Sequence, residues 1–351
     1  MSPARRMEGR PPTIRDLARE AGVGVGTASR VLTGNPLVAA ATRARVHAAM
    51  ERLGYRPSRV ARALSQRRTD TLGVLVPLFT RYFYVEVLRG IEVALADSHY
   101  ALLIRTIERL ADRDRAFADP CPPGQADGLL VVSLTPTAEM LGRLAQAGCP
   151  AVLVDSADPR LPSVTVDHVA AAATAVCHLI GLGHRRIALI DHLEDPFTPA
   201  YPSGRYEGYR RALAEAGIAP HADYELVVDF SPEAGARAID HLLSLPHPPT
   251  AVFVGSDTQA IGVLEAARRR GVRVPEDLAV VGYNDIELAQ YLQLTTVRVP
   301  MREMGQHGVE LLLAALRNPM TSPVQVCLPA QLVVRHTCGA NGKREVIPVS
   351  Q

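Results

Sequence analysis

The feature that most constrains this chain is an alternation between short apolar runs and helical patterns, which begins near residue 71. Each apolar run is four to six residues long, as expected of buried strands. The runs lie at 72–77, 101–104, 128–132, 151–154, 186–190, 251–254 and 278–283. Strands that alternate with helices form parallel sheets covered by helices on both faces. About 270 residues are more than one such sheet usually needs, so the alternation predicts a doubly wound α/β body with two lobes and a cleft between them.

The N-terminal part of the chain has a different, purely helical pattern. Its first apolar residues recur with the spacing of one helix face, at Ile14, Leu17, Ala18 and Ala21. Gly22 is predicted to end this helix as its C-terminal cap. A second short helix is predicted at about 25–32 and a third at about 42–53. Two short helices joined by a tight glycine turn, with a third packed behind them, predict a helix-turn-helix layout.

Charge is divided unevenly between these two parts. Residues 1–70 hold fourteen arginines and five carboxylates, a net charge of +9 within a chain whose total is only +2. The remaining residues therefore carry −7. A basic segment on an acidic body is typical of a protein that meets a polyanion such as nucleic acid. The alternative is a basic tail that is merely solvated.

The second helix is predicted to turn one arginine toward solvent. At 100° per residue, Ala28, Val31 and Leu32 share the side that packs inward, whereas Gly26 and Arg30 point outward. An outward arginine can bind O6 and N7 of guanine together in the major groove, although it could also be only solvated. Val25 lies on the flank, where it either packs in the core or contacts a thymine methyl group.

Other patterns exclude several classes of protein. The glycines of GVGVG at 22–26 follow a helical segment and miss the GxGxxG spacing, so they do not predict a dinucleotide site. The chain has no GxSxG elbow, P-loop or paired-histidine metal motif, and we expect no enzymatic activity, cofactor or metal. Five scattered cysteines predict buried thiols rather than disulfides. The absence of a signal peptide and of a long apolar run predicts a cytoplasmic protein with no membrane partner.

These motifs together resemble the lactose-repressor (LacI/GalR) family of transcriptional regulators. The segment from TIRDLAREAGVGVGTASRVL to RPSRVARAL is similar to the DNA-binding head and hinge of that family. In the body, the similarity continues through GHRRIALI at 183–190, RYEGYRRALAEAGI at 205–218 and VVGYNDIELA at 280–289. The resemblance covers residues 13–338 and implies a two-lobed sensor like a periplasmic binding protein.

The resemblance also implies which residues of the head contact DNA. The positions that match phosphate contacts are Thr13, Ser29 and Tyr55, and those that match base contacts are Val25, Gly26 and Arg30. Leu64 matches the hinge leucine that wedges into the minor groove and kinks the duplex. Thr27 and Arg62 complete the predicted set. The chain departs from the family pattern at Gly24, Gly26 and Ala28, so its operator cannot be inferred from that of a relative.

In the body, the resemblance implies a sugar, nucleoside or related effector held between the lobes. The matching positions are Phe79, Phe83, Asp155, Arg205, Asp257 and Asn284. An arginine and carboxylates suit vicinal hydroxyls, and the aromatic rings suit the face of a sugar. Each acid could instead cap the helix that follows its strand, above all Asp257. Asn284 stands where the family commonly has aspartate.

The resulting prediction is a repressor that binds a palindromic operator as a homodimer, with a tetramer as a further option. A transport-type sugar-binding protein with the same body is the alternative. The predicted divisions are a flexible arm at 1–12, the helix-turn-helix domain at 13–56, a hinge helix and linker at 57–70, the effector-binding and dimerisation domain at 71–340, and a tail at 341–351. Two proline-rich segments, at 119–124 and 191–205, depart from regular patterning.

Overall fold

The computed structural model of the chain describes residues 12–32, 35–56, 68–122, 125–192, 203–318, 322–340 and 345–349. The chain divides into two compact units, residues 1–69 and residues 70–351. We call the first unit the head and the second the body.

Three helices form the described part of the head, α1 (Ile14–Ala21), α2 (Val25–Leu32) and α3 (Ala40–Leu53). Thr13 caps α1 through a reciprocal capping box with Asp16. Gly22 ends α1 in the left-handed conformation, with φ of 64°, which glycine adopts without a steric penalty. The predicted helix-turn-helix layout is confirmed, with α3 beginning two residues earlier than predicted.

The first lobe of the body is built on a six-stranded sheet in which every pairing is parallel. Its strands are β1 (Thr71–Pro77), β2 (Ala101–Ile107), β3 (Gly128–Val132), β4 (Ala151–Val154), β5 (Ser163–Val166) and β11 (Gln325–Leu328). They lie in the order β11-β5-β4-β3-β1-β2. The helices of this lobe are α4 (Tyr82–Leu95), α5 (Leu110–Ala118), α6 (Ala138–Gln146) and α12 (Met301–Arg317).

The second lobe is built on a seven-stranded sheet. Its strands are β6 (Ile187–Asp191), β7 (Glu225–Val227), β8 (Ala251–Val254), β9 (Ala279–Asn284), β10 (Thr295–Arg298), β12 (Gln331–Val334) and β13 (Glu345–Pro348). They lie in the order β13-β12-β10-β9-β8-β6-β7, with β12 and β13 antiparallel to their neighbours. The helices are α7 (His168–Gly181), α8 (Gly204–Glu215), α9 (Pro232–Leu242), α10 (Asp257–Arg270) and α11 (Glu287–Tyr291).

The chain passes between the two sheets three times, after β5, after β10 and after β11. The predicted doubly wound, two-lobed architecture is therefore confirmed. In such sheets ligands bind outside the carboxyl ends of the parallel strands. In the described part of the chain, no helix is both long enough and apolar enough to cross a membrane.

Several features differ from the sequence prediction. All seven predicted strands are present, but six further strands of three or four residues (β5, β7, β10, β11, β12 and β13) were missed. Such short strands owe their conformation to their partners in the sheet rather than to a distinctive apolar run. One of them, β13, lies in the segment 341–351 that was predicted to be a tail, and it pairs antiparallel with β12.

The prediction of five buried free thiols is wrong. Cys121 and Cys149 are joined by a disulfide, their Cα atoms 6.0 Å apart, within the usual range for such a bond. Cys177 and Cys327 are free but exposed, and only Cys338 is a buried thiol. Spacing in the sequence missed the bond because residues 28 positions apart meet only through the packing of β3 beside β4.

Candidate DNA-binding helix and interlobe cleft

The outward face of α2 is the surface that the helical arithmetic predicted. Ala28 is fully buried and Val31 is 4% exposed, whereas Gly26 and Arg30 are exposed. Val25 is 44% exposed, so it is not a core residue of the head and its methyl groups are available for contact. A short helix anchored from behind and carrying an exposed arginine can enter a major groove.

Two glycines leave this face open. A Cβ atom added at Gly24 would meet nothing within 4 Å, and one at Gly26 would come no closer than 4.0 Å to the guanidinium of Arg30. Packing within the head therefore does not require glycine at either position. The consequence for recognition is that Arg30 stands on this face with no large side chain one turn before it.

Two of the predicted phosphate-contact residues also have roles within the head. The hydroxyl of Thr13 donates a hydrogen bond to the Asp16 carboxylate at 2.6 Å and accepts one from the Asp16 backbone N–H. Tyr55 is only 8% exposed and packs in the core of the head with Leu17 and Val46, and burial raises its pKa. These contacts fix the two side chains relative to α1 and α3.

The other predicted contact residues divide into two groups. Thr27 and Ser29 lie on α2 and are partly buried. Arg62 and Leu64 lie outside the described residues, and their roles stay predictions.

In the first lobe, Asp155 directly follows β4 and joins a chain of hydrogen bonds between the lobes. Its carboxylate accepts from the Ser133 hydroxyl at 2.6 Å and lies 3.0 Å from Nε2 of His168. Nδ1 of His168 lies 2.7 Å from the hydroxyl of Tyr283, which is on β9 of the second lobe. Asp155 therefore reaches across the cleft through His168, the first residue of α7.

In the second lobe, Arg205 is held by a buried carboxylate. Its Nε donates to Oδ1 of Asp191 at 2.8 Å, and its Nη2 donates to the backbone carbonyl of His192 at 3.2 Å. The Asp191 side chain is fully buried and also accepts from the Ser203 hydroxyl. A Cβ atom on Gly255 would lie 2.4 Å from the Asp191 carboxylate, so glycine at this position makes room for the ion pair.

The electrostatics of this cluster are strongly perturbed. The pKa of His192 is lowered to about 3 by burial and by the positive charge of Arg205, so the imidazole is neutral near pH 7. Its Nδ1 can then donate to Oε1 of Gln259, 3.2 Å away. Burial alone would raise the pKa of Asp191, but the positive charge of Arg205 and the hydrogen bonds from Ser203 and Arg205 more than offset it, so this pKa is lowered and the carboxylate stays ionised.

The two predicted phenylalanines lie apart from this cluster. Phe83 is on α4 and packs edge to face on Tyr84, with ring centroids 5.4 Å apart. Phe79 is 44% exposed and lines a groove of about 640 Å³ on the outer face of α4 and β2, with Leu88, Tyr100 and Ile104. The structure thus assigns Phe79 to an apolar surface groove.

Comparisons with known proteins agree with both units. Residues 13–58 match the family model described as bacterial regulatory proteins, lacI family, and residues 176–338 match the periplasmic binding protein-like domain. Catabolite control protein A of Priestia megaterium is 36% identical over 330 residues, covering 93% of this chain and 98% of that protein. The chain belongs to the LacI family.

Further relatives extend this likeness. The HTH-type transcriptional repressor CytR of Escherichia coli strain K12 is 34% identical, covering 92% of this chain and 95% of the repressor. Among solved structures, the lac repressor dimer bound to operator and the anti-inducer ONPF has a TM-score of 0.81 at 28% identity, covering 94% of this chain and 99% of that one. The complex of the transcriptional regulator CelR with cellobiose has a TM-score of 0.69 at 33% identity, covering 93% and 99%. This LacI-family chain is a DNA-binding transcriptional regulator.

Asp257 and Asn284 of this LacI-family chain lie in different environments. Asn284 ends β9 in the left-handed region, with φ of 106°, and is partly exposed. Asp257 is fully buried at the start of α10, where its carboxylate accepts from the Thr296 hydroxyl at 2.6 Å and from the Ile286 backbone N–H at 2.9 Å. These contacts occupy both oxygens and favour the structural interpretation of Asp257 over direct contact with a ligand.

The buried position of Asp257 has a consequence for stability. Burial raises its pKa from 3.8 to about 7, so the folded state holds this proton more tightly than the unfolded state does. The stability that the folded protein gains from the protonated Asp257 carboxyl is fully present below about pH 4 and is lost as the pH rises through 7. At roughly 1.4 kcal/mol per pH unit, the free energy of unfolding of the wild type should fall by about 2 kcal/mol between about pH 5.5 and pH 7.5 because of Asp257. In Asp257→Asn this part of the pH dependence should be absent.

Urea denaturation at a series of pH values checks this. Asp158→Asn is the control, because the hydrogen bond from Arg160 lowers the pKa of Asp158 to about 2 and this carboxyl does not titrate in that range. If the free energy of unfolding changes with pH in the same way for wild type and Asp257→Asn, Asp257 does not titrate between about pH 5.5 and pH 7.5.

Sequence reasoning missed four residues of the cleft, namely Ser133, His168, Asp191 and His192. Three of them, Ser133, Asp191 and His192, end or directly follow strands that were predicted. Their position at the carboxyl ends of parallel strands was the available signal. His168 follows β5, which was itself missed. Within the described residues, no group of three or more His, Cys, Asp or Glu side chains is placed to hold a metal ion.

Proposed function

We propose that this chain is a repressor that binds a palindromic operator as a homodimer and changes its operator affinity when a small effector occupies the cleft between the lobes. The observation that carries the proposal is the exposed face of α2, on which Arg30 projects from a helix anchored by Ala28 and Val31. The net charge of +9 on residues 1–70 supports binding to the phosphate backbone. No catalytic role is proposed.

In the head, Arg30 reads a guanine, Val25 contacts a neighbouring base, and Gly26 leaves room for the edge of the base pair. The proposed phosphate contacts come from Thr13, Thr27, Ser29, Tyr55 and Arg62. Leu64 is the minor-groove wedge of the hinge. Phosphate contacts set register and affinity, whereas the base contacts set sequence preference.

A second copy of the chain is the proposed occupant of the groove on the first lobe. β2 is the edge strand of its sheet, and large apolar side chains that line the groove are exposed, including Ile104 on β2 at 43% and Phe79 at 44%. An apolar patch next to an edge strand is stabilised when a partner covers it. Phe79, which lines this groove, therefore contributes to the dimer rather than to the effector site.

In the cleft, Arg205 and Asn284 are the proposed contacts to the effector from the second lobe, and Asp155 is the contact from the first. The guanidinium of Arg205 lies 5.7 Å from the centre of the Tyr283 ring. Tyr283 in turn is bonded through His168 to Asp155. A ligand that orders Arg205 would thereby favour one arrangement of the two lobes, as a change in operator affinity requires.

Selection from a pool of random duplexes by the full chain tests the DNA-binding part. We expect enrichment of a pseudo-palindrome whose two half-sites carry the same sequence, and a steep fall in affinity with salt. A pool that shows no enrichment over many rounds would contradict the proposal and favour a ligand-binding protein without a DNA site.

A further inference from the structure

Arg81 links the two lobes at the mouth of the cleft. It follows β1 at the start of α4 in the first lobe, and its guanidinium carbon lies 4.3 Å from the centre of the Phe230 ring. Phe230 belongs to the second lobe, in the segment between β7 and α9. A cation over an aromatic face is a favourable contact, and here it joins opposite walls of the cleft.

The N–H groups of this guanidinium have no acceptor in the described part of the chain. No described carboxylate lies within 4.0 Å of the Arg81 nitrogens, and no hydrogen bond joins these nitrogens to another described residue. The contact with the ring uses none of the five N–H donors of the guanidinium in a hydrogen bond to an oxygen, so these donors are available to another group. Burial lowers the pKa of Arg81 below its ordinary value, as expected of a cation that is partly desolvated without a paired carboxylate.

Among the described residues, no carboxylate is paired with Arg81. The His192 ring lies edge-on to Phe230, with ring centroids 4.8 Å apart, and burial together with the positive charges of Arg205 and Arg81 lowers the pKa of His192 to about 3. The Asp191 carboxylate is fully buried and is bound by Arg205 and by the hydroxyl of Ser203. The described partners of the Phe230 ring are therefore a cation and a neutral imidazole, and the exposed carboxylate of Asp229, next to Phe230 in the chain, forms no ion pair with Arg81.

We propose that the effector of this chain carries an anionic group, a phosphate ester or a carboxylate, which Arg81 binds at the mouth of the cleft beside Phe230 and His192. This inference rests on the proposed function, because it assumes that the effector occupies the cleft. A planar fork of N–H donors suits the paired oxygens of either group. A neutral sugar leaves the N–H donors of Arg81 without a charged acceptor. The site therefore discriminates between a neutral sugar and the phosphate ester or uronate of the same sugar.

The test uses matched sets of neutral and anionic ligands. Each pentose and hexose of a panel is measured against its terminal phosphate ester and its uronate, with the full chain, by thermal shift and then by calorimetry. For the sugar that the chain binds, we expect the phosphate ester or the uronate to bind at least about tenfold more tightly than the neutral sugar. The phosphate and uronate arms identify which anion the site prefers.

Arg81→Gln should abolish this preference, whereas the matched control Arg143→Gln should retain it, because Arg143 is on α6 and is paired with Glu139. Binding of a neutral sugar as tight as that of its anionic forms, or an Arg81→Gln variant that still discriminates, would overturn the inference. Failure of every phosphate ester and uronate to bind at millimolar concentration would overturn it as well.

The same preparation of wild-type chain is titrated with its selected operator, so that two failures can be told apart. Specific operator binding together with a neutral effector would leave the proposed function intact and reject only the anionic class. Anion-selective binding by a chain without a specific operator would reject the proposed function and retain the assignment of Arg81.

Discussion

Replacing Arg30 by alanine should weaken binding to the selected operator by about 1–3 kcal/mol per half-site, or about 2–6 kcal/mol for a dimer on two half-sites. The reason is the loss of a paired hydrogen bond to one guanine in each half-site. The variant should also tolerate substitution of that one G·C pair, which wild type should reject. Fluorescence anisotropy with the operator and with its single-base-pair variants measures both effects.

Arg52→Ala is the matched control for this experiment. Arg52 lies on α3 and pairs with Glu20 at 2.9 Å on the surface of the head, where such a pair contributes little to stability. The control should leave the base preference unchanged. If Arg30→Ala weakens all duplexes equally, Arg30 contacts phosphate and a different side chain reads the operator.

The second large effect is expected at the Asp191–Arg205 pair. Arg205→Ala removes the only cation that the described structure places within 3 Å of a fully buried carboxylate. Breaking a buried ion pair on one side typically costs about 3–5 kcal/mol, because the remaining charge is left without a partner. A loss of effector response in this variant alone could therefore reflect loss of folding.

The double variant Asp191→Asn/Arg205→Gln separates these causes. Removal of both charges should restore much of the stability that the single change loses, since no unpaired buried charge remains. We still expect the double variant to lose the effector's influence on operator binding, because the guanidinium is absent. Equal instability of the single and double variants would show that the pair is not coupled, and a normal response of the double variant would remove Arg205 from the effector site.

Local patterns were sufficient to predict the head. The apolar spacing of α1 and the angular positions on α2 depend on residues within one or two turns of each other, so Arg30 could be placed outward before any tertiary contact was known. The seven predicted strands, which are four to seven residues long, could be predicted for the same reason. Runs inside a parallel sheet are apolar because both faces of the sheet are covered, whereas the edge strand β2 is only partly buried and leaves Ile104 43% exposed.

The cleft was only partly predictable, because its contacts join residues that are distant in sequence. Arg205 was predicted as a ligand residue, but its partner Asp191 lies 14 positions earlier, at the end of another element. His168 meets Tyr283 across 115 positions. In the sequence, Asp257 follows a predicted strand, as a ligand-binding residue would. Only the structure shows that both oxygens of its carboxylate accept hydrogen bonds from Thr296 and Ile286.

The most direct test of the account is the reciprocity between operator and effector. The affinity of the wild-type chain for its operator is measured with and without saturating effector, and its affinity for the effector is measured with and without operator. If effector binding and operator binding both favour or disfavour the same one of two arrangements of the body, the two affinities must change by the same factor. We expect this factor to be at least about tenfold, which corresponds to about 1.4 kcal/mol of coupling. An operator affinity that does not change when the cleft is saturated would contradict the account.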